Sequence, residues 1–251
     1  MKTRLTTALF AASLLTGAVL APAHAAEETT VVLVHGAFAD GSAWNKVIPL
    51  LQKQGLKVVS VQNPLTSLAD DVAFAQRVID AQSGKVVLVG HSWGGAVITQ
   101  AGGSDKVKAL VYVAAFAPSE GEVVGEVAKD YPVPPGIASL KPDAAGFIYL
   151  SPESMALNFA QDLTPAEHRL MTATQGPIKA SAFGDKVTYA AWKNKPNYYI
   201  VAGKDRMIDP NLQQAFAAKL GASTTTLASS HVPMASQPAA VAKVILEAAK
   251  R

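Results

Sequence analysis

Apolar residues along this chain fall into two alternating patterns. In the first, short runs rich in β-branched side chains are nearly continuous: residues 29–34, 57–61, 85–89, 109–114, 198–202 and 224–227. Runs of this length without polar alternation suit parallel strands buried on both faces. In the second, apolar residues recur at helical spacing. Leu68, Val72, Ala75 and Ile79 follow one another at intervals of four, three and four and so share one face of a helix. Trp44, Val47, Ile48 and Leu51 form a similar stripe, as do Leu212, Phe216 and Leu220, and finally Val241, Val244, Ile245 and Ala248. Strands alternating with amphipathic helices predict an α/β fold, a doubly wound and mostly parallel sheet of about six strands covered on both sides.

The rhythm stops between residues 119 and 196. Nearly eighty residues are too many for a plain loop in a compact domain. One helix start is legible inside them: Thr164-Pro165-Ala166-Glu167 combines a capping threonine, a proline at the first helical position and a glutamate able to reach back to the cap. Apolar residues Tyr131, Phe147, Tyr149, Met155, Leu157, Phe159, Phe183 and Trp192 are scattered through the stretch. Most are expected to pack between this segment and the sheet, and a minority to line a cleft. The predicted organisation is a core of residues 26–118 and 197–251 with a lid inserted at 119–196.

Residues 1–25 are set apart by composition. Lys2 and Arg4 precede an apolar stretch from Ala8 to Leu20, and Ala23-His24-Ala25 has the small-x-small form of a cleavage site. The apolar part is short for a bilayer span, and Pro22 follows it. A secretory signal cleaved near Ala25 is expected, and with it a periplasmic or secreted protein. Removing Lys2 and Arg4 takes the formal net charge from +3 to +1 over about 226 residues, which leaves no electrostatic footprint for nucleic acid. The absence of cysteine excludes disulfides and a lipid-anchored lipoprotein. No second apolar run is long enough to span a membrane, so no stable membrane association is expected. No metal-ligand cluster or phosphate-binding loop stands out, so neither metal nor cofactor is expected.

The chemistry is concentrated at strand ends. Gly90-His91-Ser92-Trp93-Gly94 lies between the apolar run 85–89 and the small, helix-compatible stretch Gly95-Ala96-Val97-Ile98. A Gly-x-Ser-x-Gly turn between strand and helix forces the serine into a strained conformation and exposes its hydroxyl at the carboxyl edge of the sheet. A serine hydroxyl needs a base to take its proton, and the base needs a third group to hold its tautomer. Of five histidines, His24 leaves with the leader, His35 and His91 sit in tight turns suited to structural hydrogen bonds, and His168 lies on the lid helix facing solvent. His231, in the loop after the last strand, is the expected base. Asp205, directly after the strand 198–202, is the expected orienting acid, whereas Asp209 precedes Pro210 and suits a helix cap. An oxyanion needs two donors: the backbone N–H of Trp93 and one from the loop after the first strand, where Ala37 is preferred over Phe38.

With its order of Ser92, Asp205 and His231, the chain resembles the α/β-hydrolase superfamily over nearly all of its length after residue 25, and most of all its small branch containing plant methylesterases and hydroxynitrile lyases. The resemblance rests on His35-Gly36-Ala37-Phe38 with Gly41-Ser42-Ala43-Trp44, on Gly90-His91-Ser92-Trp93-Gly94-Gly95, on Asp205-Arg206-Met207-Ile208, and on Ser230-His231-Val232-Pro233-Met234 with Gln237-Pro238. It implies a serine esterase acting on a small-molecule ester through an acyl-enzyme. Lyases of this branch carry threonine and lysine where Gly36 and Val232 stand, which argues against cyanide release. Epoxide hydrolases and haloalkane dehalogenases place aspartate at the elbow, unlike Ser92, whereas cofactor-free haloperoxidases share the serine triad and leave peracid formation open as a side activity. Two other functions use the same residues: carbon–carbon bond hydrolysis, and a slow-turnover ligand-binding receptor.

Overall fold

The computed structural model describes residues 28–250, so the leader read over residues 1–25 lies outside the described residues. Among the described residues eight strands follow in order: β1 (Thr29–Val34), β2 (Lys57–Val61), β3 (Lys85–His91), β4 (Val107–Val113), β5 (Phe147–Ile148), β6 (Ile178–Lys179), β7 (Asn197–Ala202) and β8 (Ser223–Leu227). Six of them form one sheet in the order β2-β1-β3-β4-β7-β8, with every neighbouring pair parallel. This is the doubly wound sheet expected from the apolar runs. In β1, β3, β4 and β7 almost every residue is buried, as strands covered on both faces require, whereas the edge strands β2 and β8 are largely half-buried or exposed.

The chain winds from β1 outward to β2, then returns past β1 to β3 and proceeds the other way. Strand order reverses between β1 and β3, and the crevice outside the carboxyl ends of two such strands is where α/β sheets bind ligands. The loops leaving that point begin with His35-Gly36-Ala37 and with Ser92.

Helices cover both faces. The Leu68–Asp80 helix starts at Ser67, whose side chain accepts from Asp70 N–H, and its buried residues are Leu68, Asp71, Ala75 and Ile79. The face is turned slightly from the expected one: Val72 is half-buried and Asp71 takes the core position. The helix expected across Trp44, Val47, Ile48 and Leu51 is broken into a 3-10 turn at Gly41–Trp44 and a short helix at Ile48–Gln52. Pro49 is the reason, because a proline lacks the N–H that would continue a helix but fits its first turn. Trp44, Val47 and Leu51 are nonetheless buried. Strand boundaries also move by one or two residues. β3 runs on to His91, and β4 begins at Val107 and stops before Ala114, whose φ of 45° is outside the strand region.

Between β4 and β7 the chain contributes nothing to the main sheet. It forms the small antiparallel pair β5–β6, several short turns, and one ten-residue helix, Pro165–Thr174, with the capping box read from Thr164 and Glu167. Met155 and Phe159 are fully buried, Tyr131, Phe183 and Trp192 pack half-buried against the core, and Tyr149 and Leu157 are exposed. Among the described residues no helix is long and apolar enough to cross a membrane.

Candidate active site

The turn after β3 holds Ser92 at φ 53°, a left-handed conformation that costs a non-glycine residue about 1–3 kcal/mol unless its surroundings enforce it. They do. The following helix, Gly94–Ala101, crosses β1 so closely that a Cβ on Gly94 would lie 2.6 Å from the Val34 carbonyl oxygen. Ser92 C=O accepts from both Gly95 N–H and Phe116 N–H at 2.9 and 3.1 Å. The loop after β1 also touches the turn: a Cβ on Gly36 would meet Ser92 Cβ at 2.7 Å and the His91 carbonyl oxygen at 2.9 Å, so any side chain there would force this loop or the serine turn to shift.

Three residues from separate strand ends converge on this turn. Ser92 Oγ lies 2.8 Å from His231 Nε2, and His231 Nδ1 lies 2.7 Å from Asp205 Oδ2. A carboxylate facing Nδ1 fixes the proton there, which leaves Nε2 with the lone pair that accepts the Ser92 hydroxyl. Asp205 is itself held: Oδ1 accepts from Met207 N–H at 2.7 Å and Ile208 N–H at 3.0 Å, and Oδ2 also accepts from Gln213 Nε2 at 2.7 Å. Four donors therefore surround one carboxylate. Asp209 accepts from Asn211 N–H at 2.7 Å and caps the Pro210–Lys219 helix, the structural part its position suggested.

Gln213 has no motif to announce it. It is fully buried on the Pro210–Lys219 helix, donates to Asp205 and to Ile208 C=O, and accepts from Ala202 N–H at 2.9 Å. The available signal was a polar residue beside Leu212 on a buried helical face, where an amide must have partners.

The other described histidines are placed by hydrogen bonds. His91 Nε2 lies 2.8 Å from the His231 carbonyl oxygen, to which it donates, and burial pushes its pKa well below the usual histidine value. A neutral His91 thus anchors the backbone of the neighbouring histidine. His35 accepts from Asn63 N–H through Nε2, so its Nδ1–H donates to Gly36 C=O; burial lowers its pKa as well. His168 differs from expectation. Its ring is half-buried, with Nε2 2.8 Å from the Ala160 carbonyl oxygen, because the Pro165–Thr174 helix lies back against the turn that precedes it.

Neither the Ala37 nor the Trp93 backbone N–H has an acceptor among the described residues, whereas Phe38 N–H is taken by Gly176 C=O at 3.1 Å. Above the sheet edge, the π-helical turn Met155–Phe159 sets the Phe159 ring edge-on to His231, 5.1 Å between centroids. The residues that follow it are tied to both neighbouring loops: Gln161 Nε2 donates to Lys204 C=O and Asp162 Oδ2 accepts from Ser230 N–H. Ser92 is left only 7% exposed. A mostly apolar cleft of about 160 Å³ reaches Val232, the residue after His231, and is also lined by Ala43, Leu163, Leu170, Met171 and Met234. Among the described residues no group of three or more His, Cys, Asp or Glu side chains could hold a metal ion.

Comparison with known proteins agrees with this architecture. The model of the alpha/beta hydrolase family matches residues 31–244. Methylesterase 3 of Arabidopsis thaliana is 25% identical over 253 residues, covering 88% of this chain and 96% of its own. Polyneuridine aldehyde esterase of Rauvolfia serpentina is 25% identical over 256 residues, covering 90% and 97%. A crystal structure of polyneuridine aldehyde esterase has a TM-score of 0.77 at 22% identity, over 89% of this chain and all of its own, and so shares the fold.

Proposed function

Since the chain belongs to the alpha/beta hydrolase family, we propose that it is a serine-dependent hydrolase of small carboxylic esters. The observation that carries this reading is the unbroken run of short contacts from Ser92 Oγ through His231 to Asp205. Ser92 Oγ attacks the ester carbonyl while His231 Nε2 takes its proton. The oxyanion of the tetrahedral intermediate is met by the Ala37 and Trp93 backbone N–H groups, each worth roughly 3 kcal/mol. Collapse expels the alcohol, which receives the proton from Nε2, and leaves an acyl group on Ser92. Water then attacks the acyl carbon, giving its proton to Nε2, and the acid departs as the serine is restored. Asp205 holds the imidazole and balances its positive charge in both halves.

Esterase names among the relatives support ester chemistry. The test is turnover of a p-nitrophenyl acetate and butyrate panel. The intact protein hydrolyses one or both, and Ser92→Ala lowers kcat by roughly four orders of magnitude or more. An intact protein inert to a wide panel of esters, lactones and thioesters removes the reading. Export belongs to the same proposal: protein recovered outside the cytoplasm should begin near Ala26 by N-terminal sequencing, and a retained Met1 contradicts it.

A further inference from the structure

Asp71 sits on the core face of the Leu68–Asp80 helix with no solvent exposure, a place where carboxylates are rare unless partners hold them. It has two partners. Leu65 N–H donates to Oδ1 at 2.8 Å, and the Trp93 indole Nε1–H donates to Oδ2 at 2.7 Å. The ion pairs among the described residues do not include it. Burial raises its pKa to about 6, offset in part by those two bonds.

Trp93 follows Ser92 directly and is fully buried. Its ring is gripped from two sides, by the Asp71 carboxyl and by Phe183, which meets it edge-on at 5.2 Å from the segment between β4 and β7. Mutual satisfaction of two buried polar groups explains why the contact persists. It does not explain why a costly buried carboxylate is aimed at this side chain, when an apolar ring alone would fill the space. What distinguishes Trp93 is its backbone N–H, which sits beside Ser92 and lacks an acceptor among the described residues.

We propose that Asp71 is a positioning residue: by holding the Trp93 indole it fixes the Trp93 backbone N–H for the oxyanion formed at Ser92. This rests on the serine-hydrolase reading. An interaction that acts on the oxyanion strengthens in the transition state and leaves substrate binding alone, so its loss lowers kcat and spares KM.

The experiment is a double-mutant cycle with Asp71→Asn, Trp93→Phe and the double variant, read by ester kinetics and by the rate at which a fluorophosphonate labels Ser92. Trp93→Phe keeps an aromatic ring and serves if Asp71→Asn fails to fold. Each single variant lowers kcat and the labelling rate about tenfold, with KM within about twofold. Because both act through one bond, the double variant is within about threefold of the worse single. Folded single variants with kcat within about twofold of the parent overturn the role, as does a double variant whose losses multiply to about a hundredfold. A parent protein that does not label at Ser92 overturns the hydrolase reading and this role with it. Equal labelling of parent and variants overturns the role alone.

Discussion

The turn around Ser92 and the helix Pro165–Thr174 are built on opposite principles. Every residue from 86 to 99 is buried, and the strained serine is held by close backbone crossings and paired carbonyls. The Pro165–Thr174 helix has no buried residue. It is kept in place by its capping box, by Lys46 Nζ at 2.6 Å from Glu167 Oε1 and 2.9 Å from the Ala235 carbonyl oxygen, and by the His168 contact with Ala160. Close packing leaves the first region little room to shift, whereas exposed ion pairs add about 1 kcal/mol or less to the second. Under the proposed function, a serine that must meet a base and two donors at once belongs on the first kind of element. The Pro165–Thr174 helix, which borders the apolar cleft, rests on the second.

The contrast is broken most severely at Gly36. Gly36→Ala places a Cβ 2.7 Å from Ser92 Cβ and 2.9 Å from the His91 carbonyl oxygen. The loop carrying Ala37 must retreat, and kcat on an activated ester should fall about a hundredfold or more; activity within threefold of the parent contradicts so tight a contact. Gln213→Leu comes next. It removes one donor from Asp205 and leaves Ala202 N–H and Ile208 C=O without their partner. Denaturant unfolding should show a loss of about 2–4 kcal/mol, and kcat should fall with it.

Asp71 gives an effect that depends on pH. Its folded pKa, about 6, stands above the ordinary carboxylate value because burial disfavours the charge, with the neighbouring Asp70 adding to the rise. A raised carboxyl pKa means that the folded state binds the extra proton between about pH 4 and 6, so this group's contribution to stability falls as pH rises through that window. Asp71→Asn abolishes the titration. Relative to the variant, the parent should lose about 2–3 kcal/mol of stability between pH 4 and pH 7; parallel stability curves contradict the shift. The smallest effect is expected at the Pro165–Thr174 helix. Glu167 has a pKa lowered to about 2, first by the Lys46 bond and then by the Thr164 contacts, but it is partly exposed, so solvent screening discounts that shift. Glu167→Ala should cost about 1 kcal/mol by thermal unfolding, most of it from the lost cap, with turnover of a small ester within twofold.

The legibility of these regions in the sequence follows the same division. Strands buried on both faces must be apolar throughout, so the sheet is visible in its runs, and a strand-turn-helix serine carries its glycines with it. Ser92, more than a hundred residues before Asp205 and His231 in the chain, meets them through strand-end loops because all three follow parallel strands of one sheet. Asp71 and Gln213 belong to no motif. They look like polar residues on amphipathic helices, and only the side chain across the interface, Trp93 for one and Asp205 for the other, decides that they are held inside. The stripe from Trp44 to Leu51 misled in a different way: its spacing records burial, which the structure keeps, but Pro49 breaks the helix that would ordinarily produce it.

Incubation with a fluorophosphonate followed by peptide mapping tests the central claim most directly, because it asks which atom is the nucleophile without presuming a substrate. One adduct per chain on Ser92, lost in His231→Ala, is the result predicted here. An unmodified Ser92, or an adduct on another residue while Ser92→Ala still hydrolyses esters, contradicts it.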